Sequence, residues 1–386
     1  MSVPLEMEKR GRIRILMVTH YFEGHRGGIE IVAGRLVRAL AQLGLDVSWA
    51  ATGGPVPVDT AFRTIPLRAW NVAERRIGIP FPILSINAIR QLWSACRAAD
   101  AVIVHDALYL TSIIGRMAAR SAMIVQHIGS VDYRNPLLRL AMGLGNRLVA
   151  RPMLRSADRL VFISETTRAQ FGFPATQSAT TIFNGVDLSL FRPPAGETEK
   201  AGDRAALALP ADRRLALFVG RFVEKKGLPR LRRMAEARPD IAWALAGWGP
   251  IDPSRWDLSN VHVFRDLQGE TLARLYRAAD VFVLPSIGEG FPLVIQEALA
   301  AGLPIATGNE TAAADPAATS LLAGVDITDS DEQTAERFLA VIDRLLAADP
   351  QTEERRQFAR DHYSWAAAAT KYKALIEAML CDEGVR

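Results

Sequence analysis

One rhythm governs this sequence: a short run rich in β-branched residues, a turn, then a longer amphipathic stretch, repeated through both halves. In the first half the apolar runs are Ile13–Thr19, Val47–Ala51, Ala101–His105, Met123–His127, Leu160–Ser164 and Thr181–Phe183. In the second they are Leu215–Val219, Ala242–Ala246, Val261–Phe264, Val281–Pro285 and Pro304–Thr307. Both faces of these runs are apolar, as expected of parallel strands covered by helices. Helical spacing falls between them, at Glu30–Leu43, Leu228–Glu236 and Leu293–Ala301. The alternation predicts an α/β chain built of two doubly wound, Rossmann-like domains.

At 386 residues the chain has room for two such domains, each able to bury its own core. We expect the first domain over 1–186 and a linker over 187–209, where Pro193, Pro194 and Gly196 precede the polar cluster Glu197–Asp203. The second domain is expected over 210–365. Residues 366–386 carry a strong helical pattern, Ala366–Leu380, expected to pack back toward the first domain. The two cysteines, Cys96 and Cys381, do not suggest a structural disulfide, and this fits a reducing compartment. The N-terminal charges lead into no secretory pattern, and no apolar run reaches the roughly 18 residues of a spanning helix. A cytoplasmic protein is expected.

The net charge of +4 is unevenly placed. Up to Leu190 there are 22 lysines and arginines against 13 acids; beyond it, 24 against 29. Solvated helix faces would explain the basic first half. So would a surface turned toward anionic lipid heads or a lipid-linked phosphate. Nucleic acid is not expected, because aromatics that stack on bases are not interleaved with the arginines. Trp70–Ala88 and Pro136–Arg155 mix apolar residues with arginines, so peripheral contact with an anionic membrane is one reading and a core-facing helix the other.

Ligands of open α/β sheets bind beyond the carboxyl ends of the strands, and with two domains the natural place is the cleft between them. The segment Ser286–Glu297 follows a strand and leads into a helix. Gly288 and Gly290 permit a tight turn and close approach to a ligand. Glu289 and Glu297 could accept hydrogen bonds from a polyol, although a loop charge and a solvated helix residue would look the same. At the opening of the second domain, Arg221 and Lys226 flank a glycine turn, a planar fork and a point charge suited to a diphosphate. In the first domain, Gly27 and Gly28 precede a helix and could offer amides to phosphate.

Taken in order, these pieces resemble the retaining glycosyltransferases of family 4, which have the GT-B fold. The similarity runs through Gly27-Gly28, Val104-His105-Asp106, His127 in Gln126–Gly129, Phe162-Ile163-Ser164-Glu165 and Asn184-Gly185-Val186-Asp187. It continues through Gly220-Arg221 with Glu224-Lys225-Lys226-Gly227, and Glu289 and Glu297 followed by Ala298–Gly302. The resemblance implies two domains facing across a cleft and a nucleotide-sugar donor, with GDP-mannose and UDP-hexoses both open. It makes Arg221 and Lys226 the diphosphate grips and Glu297 the ribose contact. Glu289 becomes the partner of sugar hydroxyls, with the backbone of Gly290, Phe291, Pro292 and Leu293 holding sugar and phosphate. Gly28 matches the phosphate-facing loop, His127 the histidine near donor sugar and acceptor, and the nucleobase is placed near Asp266 and Leu267. It further implies same-face attack assisted by the leaving diphosphate, on a glycan or lipid-linked acceptor in cell-envelope polysaccharide synthesis. No cofactor is implied beyond the donor.

Other histidines and acids carry less. His105-Asp106 ends a strand, where structure or acceptor contact is expected. His20 and His25 lack the carboxylate or cysteine cluster of a metal site. Asp329-Ser330-Asp331 has the form used by metal-dependent transferases, but it precedes a helix and reads as a cap; no metal is expected. After Gly302 the sequence Ala306–Thr311 departs from the family's glycine-rich loop, which puts the local sugar-pocket wall in question. A sugar-nucleotide epimerase and a noncatalytic sugar-binding protein are the competing functions.

Overall fold

A computed structural model describes residues 12–25, 28–71, 81–127, 143–174, 176, 178–288, 291–328, 330–348 and 351–384. The chain divides into two compact units, one of residues 1–185 with 365–386, the other of residues 186–364.

In the first unit a seven-stranded parallel sheet is formed by β1 (Arg14–Tyr21), β2 (Asp46–Thr52), β3 (Arg63–Leu67), β6 (Ala101–His105), β7 (Ala122–Gln126), β8 (Arg159–Phe162) and β9 (Ala179–Thr181). A small antiparallel pair, β4 (Ala69–Trp70) and β5 (Ile83–Leu84), stands apart. The order is β3-β2-β1-β6-β7-β8-β9, so the sheet grows in opposite directions from the β1/β6 boundary. Burial on both faces explains the apolar runs. Along β1, Ile15 and Met17 enter the core beneath the helices Gly28–Gln42 and Trp365–Gly384, while Leu16 and Val18 enter the core on the other face, against Ile86–Ala98 and Leu110–Ala118.

The second unit repeats the plan with β10 (Arg214–Val219), β11 (Ile241–Ala246), β12 (Val261–Phe264), β13 (Val281–Leu284), β14 (Ile305–Gly308) and β15 (Ala323–Val325). All pair in parallel, in the order β12-β11-β10-β13-β14-β15, reversing between β10 and β13.

Residues 187–209 are not a bare linker. They contain the helix Glu197–Ala206, which belongs to the second unit. Its Asp203 accepts from the buried Arg277 at 2.7 Å, and its Arg204 pairs with Asp280 at 2.7 Å. The C-terminal helix Trp365–Gly384 lies in the first unit, its buried Ala368, Ala369, Tyr372, Ile376 and Met379 entering the same core as the helix Gly28–Gln42. The two passages between units are tied locally. A Cβ on Gly185 would stand 2.4 Å from the Trp365 ring, and the Val186 amide donates to the Tyr363 carbonyl at 2.6 Å. Among the described residues no helix is long and apolar enough to cross a membrane.

Candidate active site

In the second unit the site candidates gather at the carboxyl ends of β10 and β13, the two strands where the order reverses. Ligands of this architecture bind at such a switch point. Arg221 follows β10, and the chain then makes a short 3-10 turn, Glu224–Lys226, closed by Gly227 at φ +80°. The loop after β13 lies directly against it. The Ile287 amide donates to the Lys225 carbonyl at 3.1 Å, and the Arg230 guanidinium donates to the Pro285 carbonyl at 3.2 Å. Gly227 makes the approach possible, since a Cβ there would come within 2.2 Å of the Pro285 oxygen. Gly288, at φ +63°, is a tight-turn glycine whose amide donates to Glu310 at 3.2 Å. Thus the Arg221–Lys226 loop and the loop opening the Gly288–Glu297 segment, some sixty residues apart, form one surface.

Glu297 is neither loose nor fully solvated. It is half-buried in the helix Leu293–Ala300, and its Oε2 accepts from the phenol of the fully buried Tyr276 at 2.7 Å. Burial raises the Tyr276 pKa well above its ordinary value, and the neighbouring carboxylate adds to the effect, so the phenol stays a donor. Phe291 is buried, while Pro292 and Leu293 are half-exposed at the helix start. Arg221 is exposed and, among the described residues, makes no ion pair; its guanidinium lies 4.8 Å over the ring of Trp248. Asp266 follows β12 in a left-handed conformation, φ +56°, with Leu267 beside it. Glu289 and Gly290 lie outside the described residues, as does Gly27.

In the first unit the corresponding reversal, between β1 and β6, collects histidines. His20 in β1 pairs through Nε2 with Glu30 at 2.9 Å, and its ring stacks on Tyr109 with centroids 3.7 Å apart. His105, ending β6, reaches His127 after β7, Nδ1 to Nε2, at 2.7 Å. Asp106, left-handed at φ +59°, accepts from the His127 amide at 2.9 Å. Burial pushes the pKa of both rings down: His127 to about 3, and His105 well below the usual imidazole range. Each is therefore neutral, and repulsion between protons on neighbouring histidine rings further disfavours the charged form. Gly28 begins the helix Gly28–Gln42, and a Cβ there would meet nothing within 4 Å, so no packing demand accounts for that glycine.

Sequence reading passed over His20 with Glu30, Tyr276 and Trp248. Glu30 stands two residues after Gly28, an acid in a helical first turn, and would have passed as a helix-dipole partner. Trp248, flanked by glycines, has the look of an ordinary turn.

Two family models match in succession. Glycosyltransferase Family 4 spans residues 26–190 and Glycosyl transferases group 1 spans residues 199–365. The chain belongs to glycosyltransferase family 4. The transferase is 26% identical to a D-inositol 3-phosphate glycosyltransferase of Mycolicibacterium smegmatis, over 97% of this chain and 94% of that one. It is also 26% identical to an alpha-maltose-1-phosphate synthase of Mycobacterium tuberculosis, over 92% and 97%. Anabaena HepE in complex with UDP shares its fold, at a TM-score of 0.68 and 14% identity, over 95% of the transferase and 100% of HepE. The two parallel sheets are the Rossmann-like domains of the GT-B fold.

Proposed function

We propose that this transferase moves a hexosyl unit, with retention and without a metal ion, from a nucleotide sugar to a hydroxyl of a phosphate-bearing acceptor. The observation that carries the reading is the contact between the Arg221–Lys226 loop and the loop after β13, with Gly227 packed on Pro285. It sets cationic side chains suited to a diphosphate beside a segment able to hold a sugar and, through Glu297, a ribose. HepE, which shares the fold, was solved with UDP; a uridine or guanosine diphosphate sugar is the proposed donor.

In this reaction the bond from the sugar's anomeric carbon to the departing phosphate oxygen breaks, and a bond from that carbon to the acceptor oxygen forms on the same face. The acceptor proton passes to the phosphate oxygen held by Arg221 and Lys226. These two cations stabilise the charge that develops on the diphosphate, the largest contribution a protein makes to such a step. His127, uncharged, is proposed as a hydrogen-bonding partner for donor sugar and acceptor. Asp331 supports the metal-free assignment, because it pairs with Arg230 at 2.9 Å while Ser330 caps the helix Asp331–Ala347.

A phosphate on the acceptor suits the basic first half, 22 cationic residues against 13 acids. The inositol-phosphate and maltose-phosphate names of the two relatives point to the same chemistry. A lipid-linked phosphate in envelope glycan assembly, met on the cytoplasmic face of a membrane, is the form favoured by exposed Ile86, Trp93 and Met117 beside Arg90 and Arg97.

A thermal-shift panel of UDP, GDP and ADP sugars tests the donor, since a ligand at about 100 times its Kd adds about 2.7 kcal/mol of stability. One nucleotide class should raise Tm, and Arg221→Ala should lower kcat about 100-fold. Failure of every nucleotide to shift Tm would refute the reading. Abolition of turnover by a chelator, with recovery on adding manganese, would refute the metal-free part.

A further inference from the structure

Trp248 is, at 58% exposure, the most exposed tryptophan among the described residues, yet its backbone is among the most constrained. It follows β11 in the sequence Gly247-Trp248-Gly249. A Cβ on Gly247 would stand 1.8 Å from the Gly220 oxygen, and one on Gly249 2.4 Å from the Phe222 oxygen. The Trp248 carbonyl accepts from the Phe222 amide at 2.7 Å, and the Gly247 amide donates to the Phe264 carbonyl at 2.9 Å. The loop is thus fixed against the strand ends on both sides, with the indole left in solvent. Holding a large apolar ring rigidly in water gains nothing for folding.

Its place in the sheet supplies a reason. β11 lies between β12 and β10. Asp266 and Leu267, expected near the nucleobase, follow β12, while Arg221, expected on the diphosphate, follows β10. Trp248 stands between them, its ring 4.8 Å from the Arg221 guanidinium. A tryptophan face is the strongest aromatic partner for a cation and presents a stacking platform that any base can use.

We infer that Trp248 is a donor-binding residue: its indole stacks on the nucleoside of the donor and orders the Arg221 fork beside the diphosphate. The inference rests on the nucleotide-sugar reading above. Stacking is indifferent to which base is bound, so Trp248 contributes affinity for nucleotides as a class, and choice of base falls to the backbone near Asp266.

The test measures binding of UDP, GDP and inorganic pyrophosphate by calorimetry to the full chain and to Trp248→Ala and Trp248→Phe. The exposed side chain leaves folding intact, which the Tm of each variant verifies. Trp248→Ala should weaken the preferred nucleoside diphosphate about tenfold while pyrophosphate changes less than about twofold; Trp248→Phe should recover most of the loss. The nucleotide should also quench tryptophan fluorescence in the wild type and quench it less in Trp248→Phe. Equal losses for nucleotide and pyrophosphate would reduce Trp248 to a support for Arg221 and overturn the stacking. Unchanged binding of both would overturn the whole assignment. If the wild type binds none of these nucleotides, the donor reading itself falls, a result separable from any failure in the variants.

Discussion

Nδ1 of His105 lies 2.7 Å from Nε2 of His127, so the two rings share one hydrogen, and neither has room for a second proton between them. Burial holds His127 to a pKa of about 3, against about 6.5 in an unfolded chain. As pH falls from neutrality the unfolded chain takes up the proton first. The stability owed to this residue is complete above about pH 6.5 and drains away toward pH 3. The denaturant midpoint of the wild type should therefore fall more steeply than that of His127→Gln between pH 6.5 and 4. Parallel curves would mean that His127 titrates normally.

Tyr276 and Glu297 form the next test. Removing the phenol in Tyr276→Phe deletes a hydrogen bond to a charged acceptor, a loss of about 1–2 kcal/mol after allowing for the carboxylate's exposure. If Glu297 holds ribose, KM for the donor should rise several-fold while kcat changes little. A fall in kcat at constant KM would instead place Glu297 in the chemical step.

Gly227→Ala should be among the costliest single-methyl changes in the second unit. Left-handed φ opposes the new residue, and its Cβ would sit 2.2 Å from the Pro285 oxygen. A destabilisation of about 2–4 kcal/mol is expected, with loss of activity. Gly172→Ala is the control: its φ is +72°, but nothing lies within 4 Å, so only about 1 kcal/mol should be lost. Comparable urea midpoints for the two variants would discount the contact.

Thiol labelling offers an independent check on the core. Cys96 is fully buried and its pKa is pushed up to about 12 by that burial, while Cys381 is exposed. A thiol reagent should modify one cysteine per native chain and both after denaturation. Rapid labelling of two in the native state would show the helix Ile86–Ala98 to be loosely packed.

How much of this was legible follows from where each signal arises. Strands buried on both faces, such as β11 and β13, announce themselves because nothing polar interrupts them. β3 does not: it is an edge strand containing Arg63 and Pro66, with only Leu67 buried. β15 is three residues long. The helix Glu197–Ala206 looked like a linker because its burial is achieved by Asp203 and Arg204 in ion pairs, which no hydrophobic period reveals. The motifs in the second unit were visible, and their contact follows from the switch point of the sheet. The His105–His127 pair was not, because it depends on β6 and β7 being neighbours. His20 with Glu30 was hidden for the same reason, since a buried pair across ten residues has no local signature.

The joint at Gly227 has a consequence for how such enzymes diversify. Because Gly227 has no side chain, its backbone lies directly against Pro285 and the two motif loops meet there. On the proposed donor site, side chains that follow Pro285 can change while the backbone contact with the Gly227 turn stays fixed. Under that proposal one missing methyl group sets the separation of the two loops, and the side chains around it are left open to change.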